Sequence, residues 1–223
     1  MPRASRNFPG GLVYHVLNRG VGRRTLFEKD GDFLAFERVV EETLRTCRMR
    51  ICAFCILSNH WHAVVWPESD GDLPAFMQQM TNMHVKRWKE HRHEIGYGHL
   101  YQGRYKCFPV ETEGYFYQVV RYVERNALRA NLVARAEDWR WSSLRRAERE
   151  DPAFPILSDW PLPRPSNGLE IVNQPQSEAE LDALRRAVRR SCPFGSAIWT
   201  AETAKQLKIE STLHSLGRPR KEE

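Results

Sequence analysis

Residues 12–17, Leu-Val-Tyr-His-Val-Leu, form a short apolar run that closes on the turn-prone Asn18-Arg19-Gly20, the pattern of a strand followed by a loop. Over residues 32–48 the apolar positions Phe33, Phe36, Val39, Val40 and Leu44 recur at helical spacing with charges between them, which predicts an amphipathic helix. Two β-rich runs, 50–57 and 60–66, are separated only by Ser58-Asn59, so they are expected to pair as an antiparallel hairpin. Leu73, Phe76, Met77, Met80, His84 and Trp88 mark a second helix. A glycine-punctuated loop at 96–103 leads to a fourth strand at 105–110, and a third helix is expected over about 113–130.

The order β-α-β-β-α-β is that of the ferredoxin-like, split βαβ arrangement. The predicted class is therefore α+β: an antiparallel sheet with both helices on one face and the other face left for a site, followed by a further helix and a helical or extended C-terminal region. Residues 152–175 are rich in proline with few periodic apolar positions, which reads as a linker. The expected division is a first domain at 1–150, a linker at 151–177 and a basic region at 178–223 with helices at 178–190 and 200–207.

Charge adds a partner class. The 34 Lys+Arg exceed 28 Asp+Glu, giving a net charge of +6, and such an excess favours a polyanion. Seven Trp and seven Tyr offer flat rings on which unpaired bases can stack, although most aromatic residues are expected in the core. Five cysteines, Cys47, Cys52, Cys55, Cys107 and Cys192, are an odd number at low density, as in a reducing compartment. Cys52 and Cys55 form a lone CxxC without the two further ligands that a structural zinc wants. No leader-like segment opens the sequence and no apolar run approaches the ~20 residues of a membrane span, so a cytoplasmic protein is expected.

Two constellations carry candidate chemistry. Strand alternation sends His60 and His62 to one face and Trp61 to the other, so two imidazoles can share one metal ion. A surface or hydrogen-bonded histidine pair is the simpler explanation of that motif taken alone. On the third helix Tyr122 and Asn126 are four residues apart and share a face, pairing a nucleophile with a metal ligand. Tyr115 and Tyr117 compete for the nucleophile's role, but their four-residue partners, Val119 and Arg121, offer no ligand, and Glu124 points away from Tyr122. Arg19, Arg23, Arg24, Arg104 and Lys106 are loop or strand-edge cations suited to a phosphate backbone. Arg218 and Arg220 lie in a Gly-Arg-Pro-Arg end that can run along a minor groove. His15 and His99 are expected to serve as structural hydrogen-bonding groups rather than as ligands.

Four runs occur in order: Tyr14-His15-Val16-Leu17-Asn18-Arg19-Gly20, Asn59-His60-Trp61-His62, Gly98-His99-Leu100-Tyr101-Gln102-Gly103-Arg104-Tyr105-Lys106 and Arg121-Tyr122-Val123-Glu124-Arg125-Asn126. Together they resemble the REP-associated tyrosine transposases of the HUH single-tyrosine superfamily, over residues 13–144. The later Trp139-x-Trp141-Ser142-Ser143 and Pro193-Phe194-Gly195-Ser196 runs resemble the family's C-terminal part.

The resemblance implies that residues 1–150 are the catalytic domain, that His60 and His62 bind Mg²⁺ or Mn²⁺, and that Tyr122 attacks a phosphate to leave a 5′-phosphotyrosine. Asn126 falls where many such enzymes carry glutamine as a third ligand. The implied partner is single-stranded hairpin DNA, of the REP palindromic kind, bound by a monomer or a homodimer. Three readings compete: a domesticated non-catalytic hairpin binder, another HUH nuclease of the replication-initiator or relaxase type, and a zinc hydrolase built on His60 and His62, which lacks an acidic third ligand at ordinary spacing.

Overall fold

The structure, a computed structural model, describes residues 8–148 and 156–214. It contains a four-stranded antiparallel sheet in the order β2-β3-β1-β4, with β1 at Val13–Arg19, β2 at Arg50–Leu57, β3 at His60–Trp66 and β4 at Lys106–Val110. The two-residue Ser58-Asn59 connection sets the hairpin register, Leu57 opposite His60 and Ile56 opposite Trp61. Helices α1 (Asp30–Leu44) and α2 (Asp72–His91) pack on one face, and the ferredoxin-like order is present as expected.

That face carries Tyr14, Val16, Phe54, Ile56, Trp61, Ala63 and Val65, interdigitated with Phe33, Phe36, Phe76 and Met77 of the two helices. Full burial of side chains of this size contributes about 1.5–3 kcal/mol each. The α1 start is held by Asp32, which accepts hydrogen bonds from the Glu28 and Lys29 amides and pairs with Arg92 at 2.9 Å.

The opposite face is not left open. Val13, Cys55, Leu57, Val64 and Phe108 meet Phe116, Val119, Val120 and Val123 of α3 (Gly114–Glu124), whose stripe recurs every three or four residues. A register shift between Ile51 and Ala53 places Cys52 and Ala53 together in this second layer while Phe54 and Ile56 stay in the first. The third helix expected over 113–130 divides at Arg125, after which α4 runs Asn126–Arg129. Cys52 and Cys55 are buried in apolar surroundings that push their thiols up to about 12.

Within the proline-rich stretch, residues 156–175 lie against the core. Trp160 donates from Nε1 to the Cys52 carbonyl at 2.7 Å, Tyr117 donates to the Pro163 carbonyl at 2.7 Å, and Arg121 donates to the carbonyls of Gln174 and Pro175. The stretch also carries α6 (Gly168–Asn173), which follows the short α5 (Ser143–Glu148). Trp160 and Leu162 supply apolar anchors between the prolines, and side-chain donors take up carbonyls that a proline-rich chain cannot pair in a regular ladder. Helix α7 (Glu178–Arg190), capped by Ser177 and Glu180, buries Leu181, Leu184 and Ala187 in the same apolar cluster as α3, and α8 (Ala197–Gln206) follows.

Both sheet edges are covered. Residues 141–142 hydrogen-bond along β2, and Phe194 exchanges backbone bonds with Pro109 and Glu111 beside β4. Gly195 is required at that second crossing, because a Cβ there would sit 2.6 Å from the Glu111 carboxylate and from the Trp199 ring. No helix among the described residues is long and apolar enough to cross a membrane.

One buried polar chain under the first layer has a measurable consequence. Trp61 donates from Nε1 to the Tyr101 hydroxyl at 3.1 Å, and that hydroxyl lies 2.6 Å from His84 Nδ1, so it donates to a neutral His84. Burial pushes the imidazole down to about 3, with Asp32 opposing the shift. An unfolded chain takes up this proton near pH 6.5 and the folded chain only near pH 3, so stability is complete above pH 6.5 and falls as the pH drops through that window. From pH 6.5 to 5 the loss is about 2 kcal/mol for this group. Urea titrations at pH 7.5 and 5.0 are expected to show His84→Gln losing about that much less stability than the parent chain.

Candidate active site

Trp61 turns under the helices, and His60 and His62 emerge together on the α3 side with ring centroids 5.1 Å apart. Tyr122, near the end of α3, reaches the same point: its ring centroid is 5.9 Å from that of His62 and 6.2 Å from that of His15. Asn126 begins α4 directly beyond the break, so the helix end delivers both side chains to one cleft. Tyr122, His60, His62 and Asn126 line one cleft within a single chain.

The hydrogen bonds behind the histidines set which nitrogens face the cleft. His60 Nδ1 lies 2.6 Å from Asn59 Oδ1, an acceptor, so Nδ1 carries the proton and Nε2 presents its lone pair. His62 Nδ1 lies 2.9 Å from His15 Nε2 in the core. A proton on His62 Nδ1 would leave its Nε2 likewise a lone pair, and in either tautomer the buried Nδ1 of His15 has no hydrogen-bond partner among the described residues. An orphan of this kind costs about 1–3 kcal/mol. Burial pushes His60 down to about 4, helped by Arg19 and Arg129, and holds His62 well below the usual imidazole range, so both rings are neutral at pH 7.

Two neutral imidazoles whose Nδ1 atoms are oriented by second groups fit a divalent cation. Asn126 is buried with its Nδ2 unpartnered, a donor awaiting an acceptor, while Oδ1 is the atom that a cation would use. Among the described residues no group of three or more His, Cys, Asp and Glu is arranged to hold a metal ion, because His15 Nε2 is turned to His62 Nδ1. A cation held by the two imidazoles and the Asn126 amide oxygen would need its remaining ligands from water or from an anionic substrate.

The cleft measures about 920 Å³, at the upper end of the range for small-molecule sites. The sheet side contributes Arg19, Arg104 and Lys106, α4 contributes Arg129, and the C-terminal layer contributes Arg189, Arg190 and Lys208. No Asp or Glu lines it among the described residues. A second groove shares Phe8, Asn18 and residues 102–104 with the cleft and runs between α2 and the 98–105 loop.

The structure separates the expected site residues into groups. Tyr122, His60, His62, Asn126, Arg19, Arg104 and Lys106 converge. Arg24 instead pairs with Glu94 at 2.6 Å and lies over Trp88, and Arg23 is exposed on the loop after β1. Arg218 and Arg220 lie outside the described residues. Tyr115 packs on Phe194 and Tyr117 on Trp160, both away from the histidines. Glu124 accepts from Ser143 at 2.6 Å on the far side of α3. His15 stands behind His62, and exposed His99 lines the second groove.

Sequence reasoning did not single out Arg129 or the three cations of the C-terminal layer. Arg129 had a readable signal, since Tyr122, Asn126 and Arg129 follow i, i+4, i+7 spacing. Arg189, Arg190 and Lys208 had none, because only the docking of α7 and the 207–212 segment brings them here.

A family model described as Transposase IS200 like matches residues 10–126. Among solved structures the fold is similar to one described as a REP-associated tyrosine transposase bound to a REP hairpin, with a TM-score of 0.56 and 17% identity, covering 80% of this chain and 100% of that one. No curated protein matches the chain in sequence.

Proposed function

The chain belongs to the IS200-like transposase family, and on that premise we propose that it is a metal-dependent single-stranded DNA endonuclease and strand transferase acting on hairpin DNA of the REP palindromic kind. The observation that carries the reading is the cleft itself, in which a tyrosine and two neutral histidines share a space lined by seven Lys and Arg residues. Such a lining suits a phosphodiester backbone. The structurally similar transposase bound to a REP hairpin supports the choice of hairpin DNA.

In this mechanism the Tyr122 phenolic oxygen bonds to phosphorus as the P–O3′ bond breaks. The phenolic proton passes to water, and the departing 3′-oxygen takes a proton from water. The product is a 5′-phosphotyrosine with a free 3′-hydroxyl, and rejoining is the reverse attack. Because a phosphodiester is exchanged for a phosphodiester, no ATP is consumed.

His60, His62 and Asn126 are the residues that would hold Mg²⁺ or Mn²⁺. Bound there, the ion would polarise the phosphate and stabilise the charge that develops as the phenolic oxygen attacks. Arg19, Arg104 and Lys106 would grip the backbone on either side, and the basic tail with Arg218 and Arg220 would add contacts beyond the cleft. The protein would act as a monomer or a homodimer.

Labelled hairpin DNA incubated with Mg²⁺, Mn²⁺ or EDTA is the direct test: covalent adducts are expected with the metals and not with EDTA, and equal cutting in EDTA would remove the metal from the proposal. Binding is expected to weaken steeply with salt. Four phosphate contacts on a single strand give a log-log slope of about −3. Anisotropy titrations that show no salt dependence would remove the electrostatic part.

A further inference from the structure

Most arginines packed into this protein are compensated. Arg92 pairs with Glu28 and Asp32, Arg146 pairs with Glu37, and Arg121 and Arg125 donate to backbone carbonyls of the 172–175 segment. Arg129 is different. Its guanidinium carbon lies 4.1 Å from the centroid of the Tyr122 ring, and it faces the cleft beside His60, His62 and Asn126. Its one hydrogen bond among the described residues is a long one, from Nη1 to the Tyr122 carbonyl at 3.4 Å, and no carboxylate pairs with it. Burial lowers its pKa, and Arg185 adds to that, yet a guanidinium keeps its charge.

A half-buried cation held without an anion is costly to the free protein, and its cost is recovered when an anion arrives. Stacking on the Tyr122 face fixes the guanidinium plane next to the attacking group and leaves most of its N–H donors available. We propose that Arg129 is a catalytic residue that donates to a non-bridging oxygen of the scissile phosphate and stabilises the charge that builds there as the Tyr122 oxygen attacks. The inference rests on Tyr122 being the nucleophile. Arg19, which is paired across the strands with His60, lies on the sheet side of the same cleft and is the second cation in reach.

The role predicts a dependence on phosphate charge that a packing role would not produce. Single-turnover adduct formation is measured on a hairpin with an ordinary scissile phosphate and on one carrying a methylphosphonate there, in which a methyl group replaces one charged oxygen. On the ordinary substrate Arg129→Ala is expected to slow adduct formation by about 100- to 1,000-fold, the usual effect of removing one donor to a developing oxyanion. On the methylphosphonate the gap between variant and parent is expected to shrink to below 10-fold.

Arg129→Lys, which keeps the charge without the fork, is expected to fall between and guards against a failure of the alanine variant to fold. Equal deficits on both substrates, or a parental rate in Arg129→Ala, would overturn the proposal. An absence of adduct in the parent protein on both substrates would instead overturn the reading of Tyr122, and this inference with it.

Discussion

Tyr122→Phe is expected to abolish covalent capture of hairpin DNA while leaving the fold and the DNA affinity nearly unchanged. The Tyr122 ring is buried against His15, His62 and the Arg129 guanidinium, contacts that a phenyl ring keeps. Its hydroxyl makes no hydrogen bond among the described residues, so removing it costs less than the roughly 1 kcal/mol of a typical protein hydrogen bond. The chemistry has no such reserve, because in the proposed mechanism the hydroxyl is the attacking group.

Denaturing gels should show the adduct in the parent protein and none in the variant, and peptide mapping should place the nucleotide on Tyr122. Tyr115→Phe and Tyr117→Phe should retain it, since those rings pack on Phe194 and Trp160. An adduct at the parental rate in Tyr122→Phe would move the nucleophile elsewhere.

His60→Ala and His62→Ala are each expected to lower metal-supported cleavage by at least about 100-fold, the scale of the several kcal/mol that a bound cation supplies to phosphate chemistry. The two should differ in stability. His62 is 5% exposed and hydrogen-bonded to His15, so its removal opens a space and strands the His15 Nε2 in the core. Half-buried His60 leaves little behind.

Asn59→Ala should reproduce part of the His60 effect, about 10- to 100-fold in apparent Mn²⁺ affinity, because it frees the ring that Asn59 holds in one tautomer. Cleavage rates across a Mn²⁺ series, alongside thermal melts, separate the two effects. Unchanged Mn²⁺ dependence in His60→Ala would exclude it as a ligand.

What was legible beforehand follows from how each signal arises. A two-residue hairpin connection and period-two alternation are local properties, so the 50–57 and 60–66 strands and the opposed directions of Trp61 and the two histidines could be read directly. The α7 bounds were readable for the same reason, with Ser177 and Glu180 at its start and basic residues in its last turn. Pairing Tyr122 with Asn126 needed only helix periodicity, and the short break at Arg125 left their shared direction intact.

Other features depend on residues far apart in the chain. The bulge at Cys52 and the covering of the second sheet face by α3 and α7 result from packing that no local window contains. Proline content suggested a linker where Trp160, Arg121 of α3 and Arg125 at the helix break hold much of the segment against the core. Arg24 looked available for DNA until Glu94, 70 positions away, claimed it. The electrostatic character of the cleft was likewise decided by tertiary structure. The chain carries 28 acidic residues, none of which lines the cleft among the described residues, while cations from separate stretches of the chain line it together with Tyr122. Composition sets how many charges a protein has, and only the fold sets which of them share a space.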